Sequence, residues 1–331
     1  MSYLALIVGF SLLGVAAYDA VVTTISTTSA GGPLTSRVGH GYWRVAHRLA
    51  RGPTSHLLTA AGPAVLVITI GIWLLLLWLG WTLVFAADPS AVVASATHEP
   101  ATWVERDYFA GFIAFTLGVG DYVPVGAPWQ LLSVVATISG LGLTTAAITY
   151  LVPVVTAATQ RGQQAATIAA LGGDAYAIVR SAYHDGSVRY LEPVLLSTTD
   201  QLLLTAERYL TYPILHYFHP RSPETELRLQ LAALSDALTL VEHGLAESVG
   251  RPHPASISGV RAAIDQLLDR AQITSTSDPT PLHLAPLREA GLEVVEEEIF
   301  ARRIASSADQ RGRLASYAAE SKWKRPLVKT P

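Results

Sequence analysis

The run TLGVGD at residues 116–121 carries the clearest chemical pattern in the chain. Its two glycines alternate with larger residues, and glycine adopts backbone angles that other residues reach only at a steric cost. A threonine hydroxyl and an aspartate carboxylate stand at the two ends of the run. The run offers oxygen atoms rather than a nucleophile with its base. A Gly-x-Gly pair alone is also typical of a surface turn. The neighbouring elements must decide between such a turn and a run that presents its oxygen atoms to a ligand.

A short apolar and aromatic segment, YFAGFIAF at 108–115, comes directly before this run. It is about two helical turns long, and a bilayer-spanning helix needs about 20 residues. We therefore expect a half-helix that enters the membrane without crossing it. Irregular backbone at membrane depth is tolerated only where protein buries it or where it lines a cavity.

Three longer apolar stretches are each sufficient to cross a bilayer. They run from about 3 to 25, between 56 and 88, and from about 129 to 156. Charged residues make up only 15% of the chain, against about 25% in ordinary soluble proteins. Residues 1–158 contain five of the 23 Lys and Arg residues and six of the 26 Asp and Glu residues. The first half is therefore predicted to lie in the membrane and the second half to be a soluble domain.

The segment from about 61 to 158 resembles the pore-loop family of potassium channels, whose filter reads Thr-Val-Gly-Tyr-Gly-Asp. The order of outer helix, pore helix, filter and inner helix also matches that family. The resemblance implies a homotetramer with four filters around one axis, in which carbonyl oxygens replace the water around a dehydrated K+ ion. The filter residues are then Thr116, Leu117, Gly118, Val119, Gly120 and Asp121, with K+ bound at the first four.

The same resemblance implies a role for each residue type in the filter. An extended filter needs unusual backbone angles at alternate positions, so Gly118 and Gly120 are the least replaceable. Thr116 can add a hydroxyl ligand facing the internal cavity. Asp121 would form a ring of four carboxylates that concentrates cations at the outer mouth.

Two departures from the family pattern bear on selectivity. Val119 occupies the position of the family's tyrosine, whose hydroxyl braces the filter, and Phe112 occupies the position of its pore-helix carboxylate. We expect support from the pore-helix aromatics Tyr108, Phe109, Phe112 and Phe115, mostly by apolar packing. A less rigid filter would admit sodium, so a weakly selective cation channel is the alternative.

The predicted inner helix, 129–158, contains several candidate gating residues. Gly140 and Gly142 could form a hinge, or they could serve close helix packing. Pro153 favours a kink or the end of the helix, and Tyr150 just before it could contribute to a constriction. Thr145 and Thr149 could line the cavity or bond to their own helix.

Basic residues predict the orientation of the chain. Arg37, Arg44, Arg48 and Arg51 all lie between the first two spans, so the segment 31–60 is predicted to be a cytoplasmic basic loop. The N-terminus is then outside a multi-pass protein of the cell membrane, and residues 159–331 are cytoplasmic. Asp19 lies within the first span. It sits either at the cytoplasmic interface or against a Trp or Thr of a neighbouring helix.

Residues 159–320 show helical periodicity, with breaks that contain proline and glycine. The segment LGGDAY at 171–176 fails the glycine pattern of a dinucleotide-binding fold. His216 and His219, at helical spacing, could form a divalent-ion site, although surface or packing roles are common for such pairs. The residues from 321 to 331 are expected to be a disordered basic tail.

The sequence thus predicts an all-α membrane protein with three transmembrane helices, a re-entrant pore helix and a helical C-terminal domain. Its segments are 1–30, 31–60, 61–158 (outer helix 61–87, pore helix 107–116, filter 116–121, inner helix 129–158), 159–320 and 321–331. The predicted function is passive K+ conduction, with K+ as the only ligand and membrane lipid as surroundings. A non-conducting sensor or scaffold is a further alternative. No nucleic-acid or enzymatic signature appears, and a cytoplasmic regulatory ligand cannot be named.

Overall fold

A computed structural model of the protein describes residues 2–25, 31–50, 52–321 and 323. Helices dominate the described chain, and one small antiparallel sheet accompanies them. The α-helices are α1 (Tyr3–Ile25), α2 (Pro33–Leu49), α3 (His56–Thr59), α4 (Ala61–Ala86), α5 (Trp103–Ala114), α6 (Ala127–Ala169), α7 (Ala175–Ala182), α8 (Glu192–Thr211), α9 (Leu227–Thr239), α10 (Pro254–Arg270), α11 (Ala285–Glu289), α12 (Glu297–Arg303) and α13 (Ala308–Ala319). Shorter helical turns are the 3-10 segments Arg189–Leu191, Pro213–Tyr217, Pro223–Thr225 and Ile304–Ser307 and the π-helical turn Leu240–Gly244.

The chain divides into two compact units. Unit 1 comprises the residues up to 44, residues 62–155 and residues 212–214. Unit 2 comprises residues 45–61, 156–211 and those from 215 onwards. The predicted tail lies almost entirely outside the described residues.

Unit 1 contains the membrane-length helices. Among the described residues, α1, α4 and α6 are long and apolar enough to cross a bilayer. Side-chain pairings show that α1 and α4 are antiparallel: they meet at Gly9 and Gly80 and again at Asp19 and Trp73. A Cβ atom on Gly9 would stand 2.8 Å from the carbonyl oxygen of Gly80, so the two backbones approach closely. Small residues commonly allow such approach between helices in a membrane.

Asp19 is fully buried, rather than lying at a wet interface. Its carboxylate accepts hydrogen bonds from the indole Nε1 of Trp73 at 2.8 Å and from the hydroxyl of Thr35 at 2.7 Å. It also accepts one from the backbone N–H of Leu34 at 2.6 Å. These contacts satisfy a buried carboxylate that would otherwise be costly, and they hold the first turn of α2 against α1 and α4. The partners are a Trp and a Thr, the second of the two interpretations that the sequence left open.

The predicted basic loop 31–60 contains two helices, α2 and α3. Helix α2 begins at Pro33, a residue type whose fixed φ suits the first helical turn. Its free N–H groups are satisfied by Asp19, which is distant in sequence. Sequence reasoning missed the helix because that cap is not local. Arg51 lies outside the described residues.

Helix α6 differs from the predicted inner helix at both ends. It begins at Ala127 and continues without interruption to Ala169, eleven residues past the predicted end. Pro153 lies inside it and does not terminate it. A proline removes one backbone hydrogen bond, and the alanine, glutamine and threonine residues that follow allow the helix to continue.

Unit 2 is helical, as predicted for residues 159–320. Helix α9 lies at its centre, with every residue from Leu227 to Thr239 buried. Helices α7 and α13 pack against α9, and α8 packs along α10. The core is therefore assembled from helices that are far apart in sequence.

Candidate selectivity filter

Helix α5 positions the filter run, and a capping box determines where it begins. The Thr102 side chain accepts a hydrogen bond from the backbone N–H of Glu105, and the Glu105 carboxylate accepts one from the N–H of Thr102 at 2.6 Å. Two otherwise free donors are satisfied, so the helix starts at Trp103, four residues before the predicted pore helix. It ends at Ala114, ahead of the predicted 116.

The backbone of the filter run adopts left-handed angles at alternate residues. The φ angles of Thr116, Gly118 and Gly120 are +58°, +62° and +83°. The two glycines take up the unusual angles expected of them. Thr116 adopts such an angle as well, and for a β-branched residue this is strained by about 1–3 kcal/mol. Strain of this kind is commonly stored at functional sites, where the surroundings enforce it.

All seven residues from Phe115 to Asp121 are exposed in the single chain. The side chains of Leu117 and Val119 are 67% and 52% exposed. Carbonyl groups of a non-helical loop cannot face lipid without losing their hydrogen bonds. In a membrane, therefore, the run must face a polar cavity or other protein.

Two tyrosine side chains interact with carboxylates at the Asp121 end of the run. Burial and the nearby Asp121 carboxylate raise the pKa of Tyr108, and the hydroxyl of Tyr122 interacts with the Glu105 carboxylate. The interaction between Tyr122 and Glu105 lowers the pKa of Glu105 and raises the pKa of Tyr122 to about 12. Polar groups thus accompany the aromatic residues at this end, and the expectation of mostly apolar support stays a prediction.

The short sheet adds a second attachment at the same end. Strands β1 (Val92–Ala94) and β2 (Tyr122–Pro124) pair antiparallel, with Val93 opposite Val123. The N–H of Ser95 also donates to the carbonyl of Asp121 at 2.9 Å. The residues immediately after the filter are thus tied to the segment that follows α4. The strands are too short to show a sequence pattern, and sequence reasoning missed them.

Three of the four aromatic residues proposed as supports pack against one another on α5. Phe109 and Phe112 are buried, with ring centroids 5.2 Å apart, and the Tyr108 ring lies 5.4 Å from Phe112. Phe85 of α4 meets Phe109 edge-on at 5.0 Å. Phe115 is 42% exposed and takes no place in this aromatic stack.

Asp107 is a further support that the sequence did not identify. Its carboxylate accepts a hydrogen bond from the Thr82 hydroxyl at 2.8 Å, and its backbone carbonyl accepts one from the Trp78 indole at 3.0 Å. Both donors lie on α4, so the start of α5 is fixed against that helix. Such pairings between distant positions have no local signature in the sequence.

The two glycines of α6 have different surroundings. A Cβ atom on Gly140 would stand 1.7 Å from the carbonyl oxygen of Ala114, at the end of α5. A Cβ on Gly142 would meet no atom within 4 Å. Gly140 therefore has a packing role where the filter begins. Only Gly142 has room for a side chain, and whether either residue acts as a hinge stays a prediction.

The other gating candidates lie on α6 below this point. Thr145 and Thr149 are both exposed, and the Thr145 hydroxyl donates to the carbonyl of Leu141 at 2.8 Å. Tyr150 is buried, with its ring centroid 5.9 Å from that of Tyr212. The cavity-lining and constriction roles of these residues stay predictions.

The proposed divalent-ion pair gains no support from its surroundings. His219 is buried, and its Nε2 atom lies 2.9 Å from the carbonyl oxygen of Pro53. The ring of His216 packs against Tyr209 at 4.8 Å. Among the described residues, no group of three or more His, Cys, Asp or Glu side chains could hold a metal ion. A site at His216 and His219 stays untested.

Comparison with known proteins bears on the segment that contains these features. Residues 68–157, from α4 through α5 and the filter run into α6, match the family model described as "Ion channel". This segment is therefore similar to ion-channel domains, and it is called the pore domain below. The resemblance to the two-transmembrane channel family is therefore confirmed. The pore domain covers the filter run, the aromatic supports and all the proposed gating residues.

The chain is also similar over nearly its whole length to a bacterial membrane protein. That relative, named "Uncharacterized membrane protein YdjJ", is from Bacillus subtilis (strain 168). The two are 29% identical over 324 residues, which cover 96% of this chain and 94% of the relative. The similarity includes unit 2 as well as the pore domain. No solved structure matches the chain.

Proposed function

We propose that four copies of this chain form a potassium-selective channel, with residues 116–121 as its selectivity filter. The observation that carries the proposal is the filter run itself. It adopts left-handed angles at alternate residues, it is exposed in one chain, and it lies between two spans of an ion-channel domain. Four copies around one axis would surround the exposed carbonyls with one another and with ions instead of lipid.

The electrostatics of the segment favour a cation at both ends of the filter. The C-terminal end of α5, which carries about half a negative charge, lies at the start of the run. In four copies, this end would face the inner cavity beside the Thr116 hydroxyl. Asp121, exposed at the opposite end, would contribute a ring of four carboxylates to the outer mouth.

Backbone carbonyls select K+ by replacing its hydration shell, and the side chain at position 119 leaves that chemistry unchanged. The absence of a hydroxyl at Val119 favours a weakly selective cation channel as the second candidate. The Tyr108 hydroxyl interacts with the Asp121 carboxylate on the same side of the filter, and such a polar brace favours the potassium-selective channel.

We further propose that the N-terminus is outside the cell and that unit 2 is cytoplasmic. The arginines at 37, 44, 48 and 51 between the first two spans support this orientation by the positive-inside rule. Helix α6 is continuous from the pore domain to Ala169, so a movement of its last turns would reach the lower part of the span. Unit 2 would thus serve assembly and gating, with a constriction near Tyr150 and Pro153.

The test is the reversal potential of purified protein in liposomes across a gradient of potassium and sodium. A reversal near the potassium equilibrium potential is expected, and a Gly118→Asp variant should abolish the current. Gly173→Asp makes the same change at an exposed glycine with open space around it and should leave the current intact. A reversal near zero would favour the weakly selective channel. Current that persists in Gly118→Asp would contradict the proposed filter.

A further inference from the structure

Helix α2 divides its residues among three faces at helical spacing. The buried face contains only small side chains, those of Thr35, Gly39 and Ala46. A second face is apolar and includes Val45 and Leu49, which are 57% and 63% exposed. Leu34 and Val38 lie on the same stripe, at the i, i+4, i+11, i+15 positions.

The third face of α2 is basic. Arg37, Arg44 and Arg48 follow one another at i, i+7 and i+11, and all three are exposed. The structure shows no ion pair for these three arginines within the chain segments that it describes. Elsewhere the arginines at 228, 261, 311 and 313 each pair with a carboxylate. Within the described residues, the basic face of α2 therefore carries three charges without a protein counter-ion.

The start of α2 is held at a defined depth along α4. Asp19 binds the first turn of α2 and, through the same carboxylate, the indole of Trp73. The most apolar part of α4 begins at Leu66, seven residues before Trp73, which corresponds to about 10 Å of helix. Helices that lie in a membrane interface bury their apolar face about 5–10 Å into the boundary between headgroups and acyl chains.

We propose that α2 is an interfacial helix that binds the headgroups of anionic phospholipids through Arg37, Arg44 and Arg48. The apolar stripe lies among the upper acyl chains, and the basic face meets the phosphates next to them. Guanidinium groups bind phosphate with directed, charge-assisted hydrogen bonds. The combination of an unpaired basic face and an exposed apolar stripe favours a lipid surface over a purely polar ligand.

The first experiment measures which lipids remain bound to the full chain after purification from mixed phosphatidylcholine and phosphatidylglycerol membranes. The variant Arg37→Gln/Arg44→Gln/Arg48→Gln should lose at least about tenfold of the preference for phosphatidylglycerol, because each surface arginine contributes about fivefold. The corresponding lysine variant should keep most of that preference, because it keeps the charge. An unchanged preference in the glutamine variant would overturn the proposal.

The matched control removes three exposed arginines from unit 2. Arg288→Gln/Arg302→Gln/Arg303→Gln changes the net charge by the same amount and should leave the lipid preference unchanged. An equal loss in this control would show a general charge effect and would overturn the assignment to α2. Both triple variants change exposed side chains only, so both should fold.

The second experiment uses the absence of cysteine from the natural chain. A polarity-sensitive fluorophore is attached to the single cysteine of a Val45→Cys variant, on the apolar stripe. Its emission is measured in vesicles with and without phosphatidylglycerol. We expect a blue shift of the emission that grows with the phosphatidylglycerol content. This shift should disappear when the three arginines are replaced by glutamine. A water-like emission in both vesicles would contradict the proposal. The same blue shift on adding soluble glycerol phosphate would also contradict it, because that result indicates binding of a free phosphate. A cross-link between copies through the introduced cysteine would contradict it as well, because that result indicates a subunit interface.

Discussion

The filter run and helix α9 are opposite extremes of exposure in the same chain. Every residue from Phe115 to Asp121 is exposed, whereas every residue of α9 is buried. The filter run consists of backbone whose polar groups have few partners, and α9 is surrounded by helices of its own unit. One chain is therefore enough to complete the surroundings of α9, but not those of the filter.

The polar side chains in and around α9 show how completely unit 2 satisfies itself. Asp236 bonds to the Nε atom of Arg311 at 2.7 Å, with both side chains buried. Arg228 lies 3.6 Å from Glu226 and stacks over the ring of Tyr317. Buried charges of this kind persist because each has a partner. The comparison predicts that damage to the filter affects conduction and damage near α9 affects folding.

The largest expected effect on conduction comes from Gly120→Ala. An alanine at φ +83° costs about 1–2 kcal/mol in backbone strain and changes the direction of the filter carbonyls. We expect at least about a hundredfold loss of K+ flux into liposomes, because the geometry of the filter carbonyls governs ion binding. The thermal unfolding midpoint should stay nearly the same, because no packed side chain is lost. A large fall in that midpoint would contradict the contrast with α9.

The largest expected effect on stability comes from Arg311→Met. This change removes the charge that pairs with the buried Asp236 carboxylate, at a cost of about 3–5 kcal/mol. The unfolding midpoint of the detergent-solubilised protein should fall by roughly 10 °C. The double variant Arg311→Met/Asp236→Leu removes both charges and should regain much of the loss. If the double variant is as unstable as the single one, the ion pair is not the cause.

Gly140→Ala and Gly142→Ala form a matched pair at the junction of filter and span. The added methyl group at position 140 would collide with the Ala114 carbonyl, so the end of α5 must shift. We expect a cost of about 1–3 kcal/mol and a strong reduction of K+ flux. The methyl group at position 142 meets open space and should leave stability unchanged. Altered gating in Gly142→Ala, with unaltered stability, would identify Gly142 as the hinge.

Tyr108→Phe tests the polar brace of the filter. It keeps the ring that packs on Phe112 and removes the hydroxyl that interacts with the Asp121 carboxylate. We expect sodium permeability relative to potassium to rise severalfold, read from the reversal potential. Tyr122→Phe removes the hydroxyl that interacts with Glu105, farther from the filter, and should have the smaller effect. Equal selectivity in the natural protein and in both variants would show that the polar brace is not needed.

The smallest expected effect is the pH dependence of unit 2. Burial lowers the pKa of His219 and of His243, so the folded state favours their neutral forms. The free energy of unfolding should be constant above about pH 6.5 and should fall as the pH drops below that unfolded-state value. His219→Gln keeps a donor for the Pro53 carbonyl and should reduce this fall in the unfolding midpoint between about pH 7.5 and 5.5. An unchanged pH profile would show that His219 does not titrate on unfolding.

Local signals in the sequence predicted much of the pore domain. Span length and hydropathy located α1, α4 and α6, and the order of elements identified the resemblance that the ion-channel match confirms. Glycine at 118 and 120 indicated unusual backbone angles, which the structure shows. These properties depend on a residue and its near neighbours, and a single sequence contains them in full.

The start of α5 was also encoded locally. The Thr102–Glu105 spacing is that of a capping box, and it indicates a helix from Trp103. The prediction began that helix four residues late because it followed the apolar run and passed over the cap. The passage of α6 through Pro153 has a related explanation, since proline weakens a helix by one hydrogen bond and does not always end it.

The sequence by itself determined which stretches can cross the membrane, where the filter run lies and how charge is divided between the two halves. Only the tertiary structure decided which partners meet: Asp19 with Thr35 and Trp73, Tyr108 with Asp121, and Gly140 with the Ala114 carbonyl. It also revealed α2, whose N-terminal cap is supplied by α1. The physical reason is range. Hydropathy and backbone freedom act within a few residues, whereas a hydrogen bond or a close packing contact depends on helices that the chain brings together only when it folds.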